Sequence, residues 1–382
     1  MPYEDKKAAP QRRPHAVTLD ERSHLTVTGV DEVVRFDDTE VSMRTSRGML
    51  TVHGEGLRVG RLAIDTGELA IDGAFDALDY TEETVSGSGF WSRFWQQLYS
   101  GCIFGLMLGL MAVGMNLVYG TTGLSSFSHG EQVTLGGLMA YVGTQMLHMP
   151  VVLSAIFAVA IGALAGWVQN QLVWAPLRHK RVGVMQQMIV TIGLSMALQY
   201  IYQFFFGGDI KGIVKSVPEG IQLGPIVTNA PTLIAAAIAL VTIVSVTVFL
   251  YCTRLGRATR AVSDNAALAA ASGINVDSVV RIVWILSCGL AALSGVLIGI
   301  HLNGIAWNTG VTLLMLMFAA VTLGGLGTAN GALVGALIVG IVADMSTLVI
   351  PSDMRYASAL AILILVLLIR PQGIFGKQKR VG

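Results

Sequence analysis

Residues 282–343 read IVWILSCGLAALSGVLIGIHLNGIAWNTGVTLLMLMFAAVTLGGLGTANGALVGALIVGIVA and contain no Asp, Glu, Lys or Arg. A helix that crosses the hydrocarbon core of a bilayer needs about 20 predominantly apolar residues. This stretch therefore has room for up to three crossings. Further uncharged stretches of 37, 46 and 34 residues follow Arg93, Glu131 and Glu219. Together these stretches predict a polytopic membrane protein over most of the chain.

The apolar segments of this part predict a bundle of membrane helices, so the predicted fold class is mostly α. We count nine segments, each bounded by polar or charged residues. They lie at 96–119, 121–147, 150–174, 186–206, 231–252, 279–301, 312–327, 331–349 and 355–370.

The charges divide the chain into two parts. Residues 1–90 carry 17 acidic and 10 basic residues, whereas residues 91–382 carry 7 acidic and 15 basic residues. The basic residues lie beside apolar segments and form no aromatic-interleaved patch, so we do not expect nucleic acid as a partner. The first fifteen residues are charged and no apolar run follows them, so we expect no cleavable signal peptide. The three cysteines lie in or beside apolar segments and predict no disulfide framework.

The first part alternates apolar and polar residues with a period of two, which is typical of half-buried strands. Glycines at 29, 48, 54, 56, 60, 67 and 73 interrupt the alternation at turn-like spacing. The pattern predicts a small antiparallel β-domain of about seven short strands. The apolar positions are Leu25, Val27, Val41, Met43, Leu50, Val52, Leu57, Val59, Leu69 and Ile71.

Between His15 and Tyr80, the motifs TVTGV, GMLTVHGEGL and GELAIDG follow one another in that order. In this order, the stretch resembles the YabP family of sporulation proteins. The resemblance implies a binding or assembly module associated with spore formation, which acts through a partner or by self-association. The histidines of this stretch form no metal or catalytic set with neighbouring residues.

The second apolar segment contains the most unusual polar residues of the membrane part, in GTTGLSSFSHGEQ at 120–132. Ionisable groups within membrane helices normally face a bundle interior or an aqueous path. Two interpretations are open at this point. These residues line or gate a transport route, or they cap a helix break and satisfy its free backbone groups. The residues concerned are Ser125, Ser126, Ser128, His129 and Glu131. His129 and Glu131 are two residues apart with no second histidine nearby, so we predict no metal site.

The cationic clusters predict the topology, because cationic loops face the cytoplasm. The clusters are Arg178 to Arg181, the set Arg254, Arg257 and Arg260, and the C-terminal basic residues from Arg370 onward. All three fall on one side if every segment from the third onward crosses the membrane. A broken or re-entrant second segment then leaves eight crossings, with the β-domain and the C-terminus in the cytoplasm; nine crossings place the β-domain outside.

A row of small residues predicts close helix packing, since glycines spaced by four share a helix face. The row consists of Gly327, Gly331 and Gly335, and Gly324 and Gly325 flank it as further packing residues. The chain has no G-x-x-x-x-G-K-[ST] motif, so these glycines are not a phosphate loop and the chain does not supply its own ATPase. No catalytic residues, cofactor or enzymatic activity are predicted.

The stretch LGRATRAVSDNAALAAASGIN at 255–275 predicts a short helix between two crossings. Its alanines favour helix. Asp264 and Asn265 are suited to cap a helix, and Gly273 is suited to end one. A helix with such small side chains fits into a groove on a partner protein, whereas the alternative is a plain connecting loop.

Four stretches in one order resemble the LivH-type permeases of branched-chain amino acid ABC importers. They are NLVYGTTGLSSFSHGEQVTLGG, LGRATRAVSDNAALAAASGIN, VTLGGLGTANGALVGALIVG and LIRPQGIFGK, within residues 95–378. The family's NFAHGE is replaced by Ser126-Phe127-Ser128-His129-Gly130-Glu131. Together with the patterns of the first part, this resemblance predicts a tail at 1–14, a β-domain at 15–83, a linker with an aromatic belt at 84–95, a permease at 96–376 and a basic tail at 377–382.

The resemblance also implies roles and partners. A translocation path would include Asn116 beside the polar residues of the second segment. The partners would be two ATPase subunits, a second, LivM-like permease subunit, an extracytoplasmic solute-binding protein and the bilayer of a bacterial cytoplasmic membrane. Coupling to the ATPase would fall on Gly256, Arg257, Arg260, Asp264, Asn265, Gly273 and Ile274.

The function expected from the sequence is therefore import of branched-chain amino acids through a permease that a separate ATPase drives. One alternative is a related permease for urea or short amides. Another, from a different class, is an autonomous secondary carrier or channel, although the membrane segments contain few acidic residues for ion coupling. An intramembrane enzyme would need a catalytic pair, and His129 with Glu131 lacks a nucleophile at recognisable spacing.

Overall fold

The computed structural model describes residues 16–20, 23–37, 39–45, 48–63, 68–81, 90–214, 220–302, 304–351, 354–369 and 373–375. The chain divides into two compact units, Met1–Gly89 and Phe90–Gly382. The predicted tail at 1–14, the linker residues 84–89 and the basic tail at 377–382 lie outside the described residues.

The first unit is an antiparallel sheet of six described strands in the order β1-β2-β6-β5-β4-β3. Every neighbouring pair in this sheet is antiparallel. The strands are β1 (Ala16–Asp20), β2 (His24–Thr28), β3 (Val30–Phe36), β4 (Glu40–Thr45), β5 (Gly48–Ala63) and β6 (Glu68–Thr81).

The core of this unit confirms the predicted alternation. Nine of the ten apolar residues of the period-two pattern are buried together on one side of the sheet, at 2% exposure or less, and the side chain of the tenth, Val59, lies outside the described part. Their polar neighbours along the strands are more exposed, as Thr26 illustrates between Leu25 and Val27. The buried members are Leu25, Val27, Val41, Met43, Leu50, Val52, Leu57, Leu69 and Ile71.

The prediction of about seven short strands is wrong about strand length for β5 and β6, which are 16 and 14 residues long. Glycines that we expected in turns lie inside these two strands. The β5–β6 register shifts between His53 and Gly54 and again between Glu55 and Arg58. A side chain at Gly54 would collide with the backbone of Ala74, and Gly56 has a φ of 65°. Glycine at a bulge lets paired strands bend without ending.

The second unit is a bundle of helices with one small hairpin, β7 (Gly220–Leu223) and β8 (Ile226–Asn229). This confirms the predicted fold class of a helical bundle that follows an antiparallel β-domain. The helices are α1 (Phe90–Thr122), α2 (His129–Tyr141), α3 (Val151–Gln169), α4 (Ala175–His179), α5 (Val184–Phe206), α6 (Ala230–Cys252), α7 (Arg254–Asp264), α8 (Ala266–Ala271), α9 (Val276–His301), α10 (Thr309–Gly324), α11 (Ala329–Ser346) and α12 (Arg355–Ile369).

Five helical stretches of the described chain are long and apolar enough to cross a membrane: 90–122, 151–179, 184–206, 230–252 and 276–301. Shorter apolar helices occupy 309–324, 330–346 and 355–365. α2 with its π-helical continuation Val142–Met146 occupies most of the second apolar segment. The prediction of eight or nine crossings is therefore supported only in part.

Helices α1 and α9 form the centre of the bundle, since most of their residues are buried. Helices α3, α5 and α6 expose large apolar side chains over much of their length. Such faces suit contact with lipid or with another membrane helix. Glycines allow the central helices to approach closely: a Cβ at Gly136 would collide with Ala292, and a Cβ at Gly295 would collide with Val133.

The predicted glycine row divides between two structural roles. Gly324 of α10 and Gly331 of α11 meet backbone to backbone, and Gly335 lies against the carbonyl oxygen of Ala320. Gly325 and Gly327 instead lie in the connection between α10 and α11, with φ of 105° and 85°. We correct the prediction for these two residues, because the chain turns there and positive φ favours glycine.

Candidate functional site

The break in the second apolar segment lies at residues 123–128, between α1 and α2. Gly123 begins it with a φ of 70°. The backbone N–H of Leu124 donates to Oγ1 of Thr122 at 3.2 Å, and that of Phe127 donates to Oγ1 of Thr191 on α5 at 3.2 Å. These two threonines, which the sequence analysis missed, satisfy backbone groups that the break leaves free.

The serines of the break make no such caps in the described structure. Ser128 is the N-terminal cap position of α2 but forms no side-chain capping hydrogen bond. Its hydroxyl lies 3.0 Å from that of Ser126, and both residues are buried. Ser125 is half-buried beside them. The interpretation that these residues cap the break therefore fails for Ser128.

His129 and Glu131 lie on the first turn of α2 and are 1% and 0% exposed. The hydroxyl of Ser195 on α5 donates to Oε1 of Glu131 at 3.2 Å. Oε2 of Glu131 and both ring nitrogens of His129 are buried without a hydrogen-bond partner among the described residues. Buried polar atoms nearly always have a partner, so a water molecule or a ligand is the natural complement of these atoms.

Two further buried side chains complete this set. The amide of Gln132 and the hydroxyl of Ser287 on α9 also have no partner among the described residues. A Cβ at Gly114 of α1 would lie 3.3 Å from Nε2 of His129 and 3.2 Å from Oγ of Ser287. We define the buried polar cluster as His129, Glu131, Gln132, Ser195 and Ser287.

The buried polar cluster extends to two sides of α2, because His129 lies with Ser287 of α9 at Gly114 of α1, whereas Glu131, two residues further along the helix, accepts from Ser195 of α5. Ser195 and Ser287 were missed because a single uncharged polar residue in an apolar run is common and gives no signal, whereas Gln132 lay in the polar stretch 120–132 but was not selected. The arrangement offers donors and acceptors to a small polar molecule within the helical bundle.

The structure places Asn116 away from the buried polar cluster. Its Oδ1 accepts from the backbone N–H of Gly327 at 2.6 Å, and its Nδ2 donates to the carbonyl oxygen of Thr328 at 2.6 Å. Asn116 and Gly114 are two residues apart on α1, so they point to nearly opposite faces. Asn116 therefore holds the connection between α10 and α11, and its part in a translocation path stays a prediction.

The stretch 255–275 forms two helices, α7 and α8, where the sequence predicted one. Asn265 separates them because its backbone is extended, with φ of −159° and ψ of 103°. Its side chain accepts from the backbone N–H of Leu268 at 3.0 Å, which confirms the predicted cap. Gly273, with a φ of 85°, follows the end of α8 as predicted. Ile274 packs against the core of the bundle.

Every helix in this region begins with a side-chain cap. Thr253 accepts from the N–H of Gly256 at the start of α7, at 3.0 Å. Asn265 caps α8, and Asn275 accepts from the N–H of Ser278 at the start of α9, at 3.0 Å. Such caps contribute about 1 kcal/mol each.

Helix α7 is anchored on the end of α6. A side chain at Gly256 would collide with the carbonyl oxygen of Phe249, so only glycine allows this close turn. Arg257 donates to the carbonyl oxygen of Cys252 at 3.3 Å. The Arg260 guanidinium lies 4.6 Å from the ring centroid of Tyr251. Arg260 and Asp264 line a cavity of about 330 Å³ that Asn116 also lines.

Helix α8 presents small apolar side chains at the surface. Ala269 is its buried residue at 4% exposure, whereas Leu268 is 65% exposed. Ala266, Ala267 and Ala270 are also exposed. Among the described residues, no group of three or more His, Cys, Asp or Glu residues is placed to hold a metal ion.

Comparisons with known proteins match both units. The family described as "Branched-chain amino acid transport system / permease component" matches residues 97–369, and the YabP family matches residues 11–87. The high-affinity branched-chain amino acid transport system permease protein LivH of Salmonella typhimurium is 30% identical over 282 residues, which cover 70% of this chain and 91% of LivH.

Two other relatives extend the comparison. Spore protein YabP of Bacillus subtilis is 33% identical over 93 residues, which cover 24% of this chain and 93% of YabP. The ribose import permease protein RbsC of Escherichia coli is 30% identical over 243 residues, which cover 60% of this chain and 71% of RbsC. The match to LivH extends over nearly all of that protein, whereas the match to RbsC is shorter.

Proposed function

The chain belongs to the family of permease components of branched-chain amino acid transport systems over residues 97–369 and to the YabP family over residues 11–87, and on that basis we propose that it is the permease subunit of an ABC importer. Two separate ATPase subunits supply the energy, because the sequence has no phosphate-loop motif of its own. An extracytoplasmic solute-binding protein delivers the ligand, and a second, LivM-like permease subunit completes the pair.

The exposed α8 is the observation that carries this proposal. A short helix with alanines and one leucine at its surface fits closely into a groove of another protein. Its neighbours transmit force, since α7 is anchored on α6 and α9 lies at the centre of the bundle. In this proposal the ATPase binds α8, and Gly256, Arg257, Arg260, Asp264, Asn265, Gly273 and Ile274 hold the two short helices in place.

The buried polar cluster is proposed as part of the translocation route. Its unpartnered donors and acceptors lie among apolar helices, where polar groups are costly unless they face a path or a partner. Ser125, Ser126 and Ser128 lie at the same end of α2 and extend the polar lining. Contacts of this kind hold a ligand weakly, and weak binding suits a route whose selectivity resides in a separate binding protein.

Branched-chain amino acids are the proposed cargo. The relative matched over nearly its whole length transports them, as its name states. Urea or short amides are the alternative, because the family's NFAHGE carries two serines here, at Ser126 and Ser128. The other alternative is an autonomous carrier or channel, which is a different class of transporter. One measurement distinguishes it from an ABC importer.

That measurement is uptake into proteoliposomes that contain the purified chain with its permease partner. We expect uptake of leucine only when the ATPase subunits, ATP and the solute-binding protein are all present. Uptake by the permease pair alone would identify a carrier or channel. Uptake of urea in place of leucine would keep the importer and change its cargo.

The proposed location is a bacterial cytoplasmic membrane with the β-domain and the C-terminus in the cytoplasm. Arg178 lies 3.8 Å from Asp277 at the start of α9, so the cationic stretch 178–181 lies at the same end of the bundle as α8. Cationic loops of membrane proteins face the cytoplasm, so the presence of two cationic regions at this end of the bundle favours the cytoplasmic side for it. The β-domain is proposed as an assembly module for sporulation that is dispensable for transport. Deletion of residues 1–88 tests this: uptake should persist, whereas loss of uptake with normal insertion would refute it.

A further inference from the structure

A polar cavity lies beside the ion pair of Arg178 and Asp277. Its volume is about 310 Å³. It is bordered on one side by α4 and the π-helical turn Asn170–Trp174 that precedes it, and on the other by the first turns of α9. Two arginines, Arg178 and Arg281, line it.

Arg178 has more hydrogen-bonding capacity than its neighbours use. Its Nη2 donates to Oδ1 of Asn170 at 3.1 Å. Its Nε and Nη1 are buried and have no hydrogen-bond partner among the described residues. These two nitrogens carry three N–H groups, because a guanidinium has five in all. Buried unpaired donors of a charged group are costly, so an acceptor is expected at this position.

The carboxylate nearest to Arg178 does not supply that acceptor. Asp277 lies 3.8 Å from Nη2, and its side chain is 62% exposed. An exposed pair at this distance is weak. Arg281 is exposed at the rim, and His179 also lines the cavity. Two guanidinium groups therefore face one carboxylate, which leaves the cavity suited to an anion with several oxygens.

A phosphate group fits these donors. Guanidinium forms paired, charge-assisted hydrogen bonds to phosphate oxygens. Ser278 and Asn170 add uncharged polar groups to the lining. Phosphate reaches such a cavity either as a phospholipid headgroup or as a soluble ion, and the surface beside the cavity distinguishes the two.

An apolar stripe leads to the cavity along the same helical stretch. Leu164, Val168 and Leu172 are spaced by four, so they share one helix face. They are 53%, 36% and 73% exposed. Leu172 adjoins Gln171, which lines the cavity. A headgroup in the cavity would thus place its acyl chains on an exposed apolar face. We propose that this cavity binds the phosphate of an anionic phospholipid through Arg178 and Arg281.

Native mass spectrometry of the full chain in detergent tests the proposal. The protein is titrated with dioleoylphosphatidylglycerol or with dioleoylphosphatidylcholine, and the retained lipid is counted. The variants are Arg281→Gln and Arg178→Lys. The matched control is Arg181→Gln, which removes an exposed cation outside the lining. Size-exclusion profiles check that each variant is folded, and Arg281→Gln alters an exposed residue only.

We expect the anionic lipid to bind more tightly than the zwitterionic lipid. Arg281→Gln should weaken that binding about tenfold, whereas Arg181→Gln should leave it within about twofold. Arg178→Lys should also weaken it, because an ammonium cannot form the paired bonds.

Three outcomes would overturn the proposal. Equal retention of the two lipids would remove the preference for an anionic headgroup. Unchanged lipid binding in Arg281→Gln with loss of ATPase co-purification would assign the cavity to a protein partner. Displacement by millimolar inorganic phosphate, with no dependence on acyl chains, would assign it to soluble phosphate.

Discussion

Ser195 on α5 holds only one of the two carboxylate oxygens of Glu131 on α2, through a hydrogen bond of 3.2 Å to Oε1. The other oxygen, Oε2, is buried and has no partner among the described residues. The bond thus fixes the orientation of a carboxylate while leaving an acceptor free. That free acceptor is the feature expected of a group that meets a passing ligand or water.

Glu131→Gln should insert normally and slow uptake about tenfold. Glutamine keeps the shape of the side chain and still accepts from Ser195 through its oxygen. Its amide nitrogen replaces Oε2, however, so a free acceptor becomes a donor. Loss of a hydrogen bond to a charged group costs about 1.5–3 kcal/mol. Uptake at matched membrane levels measures the effect, with Ser195→Ala as a milder control. Wild-type uptake would assign Glu131 a purely structural role.

Ala267→Trp or Ala270→Trp should abolish ATPase-driven uptake and reduce co-purification of the ATPase. Both alanines are exposed on α8, so a large ring there changes the surface and leaves the bundle intact. The control is Ala361→Trp, at an exposed position of α12. Pull-down and uptake are measured in parallel for all three variants. If the α8 variants match the control, the docking role is wrong.

Asn116→Ala should lower the stability of the purified protein by about 1–3 kcal/mol, because it removes two hydrogen bonds and leaves backbone groups of the α10–α11 connection unpaired. The thermal midpoint in detergent measures this loss. The KM for the transported ligand should stay within about twofold of the wild-type value, since Asn116 lies apart from the buried polar cluster. A large change in KM at unchanged stability would support the predicted part of Asn116 in a translocation path.

Gly295→Ala should destabilise the bundle by about 1–3 kcal/mol, because the added methyl group would collide with the carbonyl oxygen of Val133 on α2. Gly193→Ala supplies the matched control. It lies on α5 with no atom within 4 Å of its added Cβ. Alanine favours helix over glycine by about 1 kcal/mol, so this control should be neutral or slightly stabilising. Thermal unfolding of both variants decides the comparison; equal destabilisation would refute the close-packing argument.

A single cysteine at Asp76 should be inaccessible to an impermeant thiol reagent in intact cells and accessible after permeabilisation. The residue is exposed on β6, so its own unit does not shield it. The background protein would carry replacements of Cys102, Cys252 and Cys288. Labelling in intact cells would place the β-domain outside and require all nine apolar segments to cross the membrane.

Sequence patterns predicted the core of the β-domain well and the lengths of its strands poorly. Alternation identified Leu25, Val27 and their counterparts, because burial on one face of a sheet imposes a period of two. Glycine was ambiguous, since the same residue serves a turn or a bulge. Gly54 and Gly56 serve bulges inside β5, and only the pairing with β6 reveals that role.

In the membrane unit, too, some features could be predicted from the sequence and others could not. The ionisable residues His129 and Glu131 were recognisable because such groups are rare in apolar segments. Ser195 and Ser287 were not, since their importance depends on which helices lie beside Glu131 and at Gly114. The cap at Asn265 was predictable from local sequence, whereas the division of 255–275 into two helices depends on the extended backbone at that residue.

The three caps at Thr253, Asn265 and Asn275 have a mechanical consequence. A short helix with frayed ends would absorb a small displacement by unwinding at its ends. Capped ends resist fraying, so we expect the helix ends at the α7–α8 and α8–α9 connections to stay wound when α8 moves. If α8 couples to the ATPase as proposed, a displacement of α8 would reach α9, which packs on α1, α2 and α3 at the centre of the bundle.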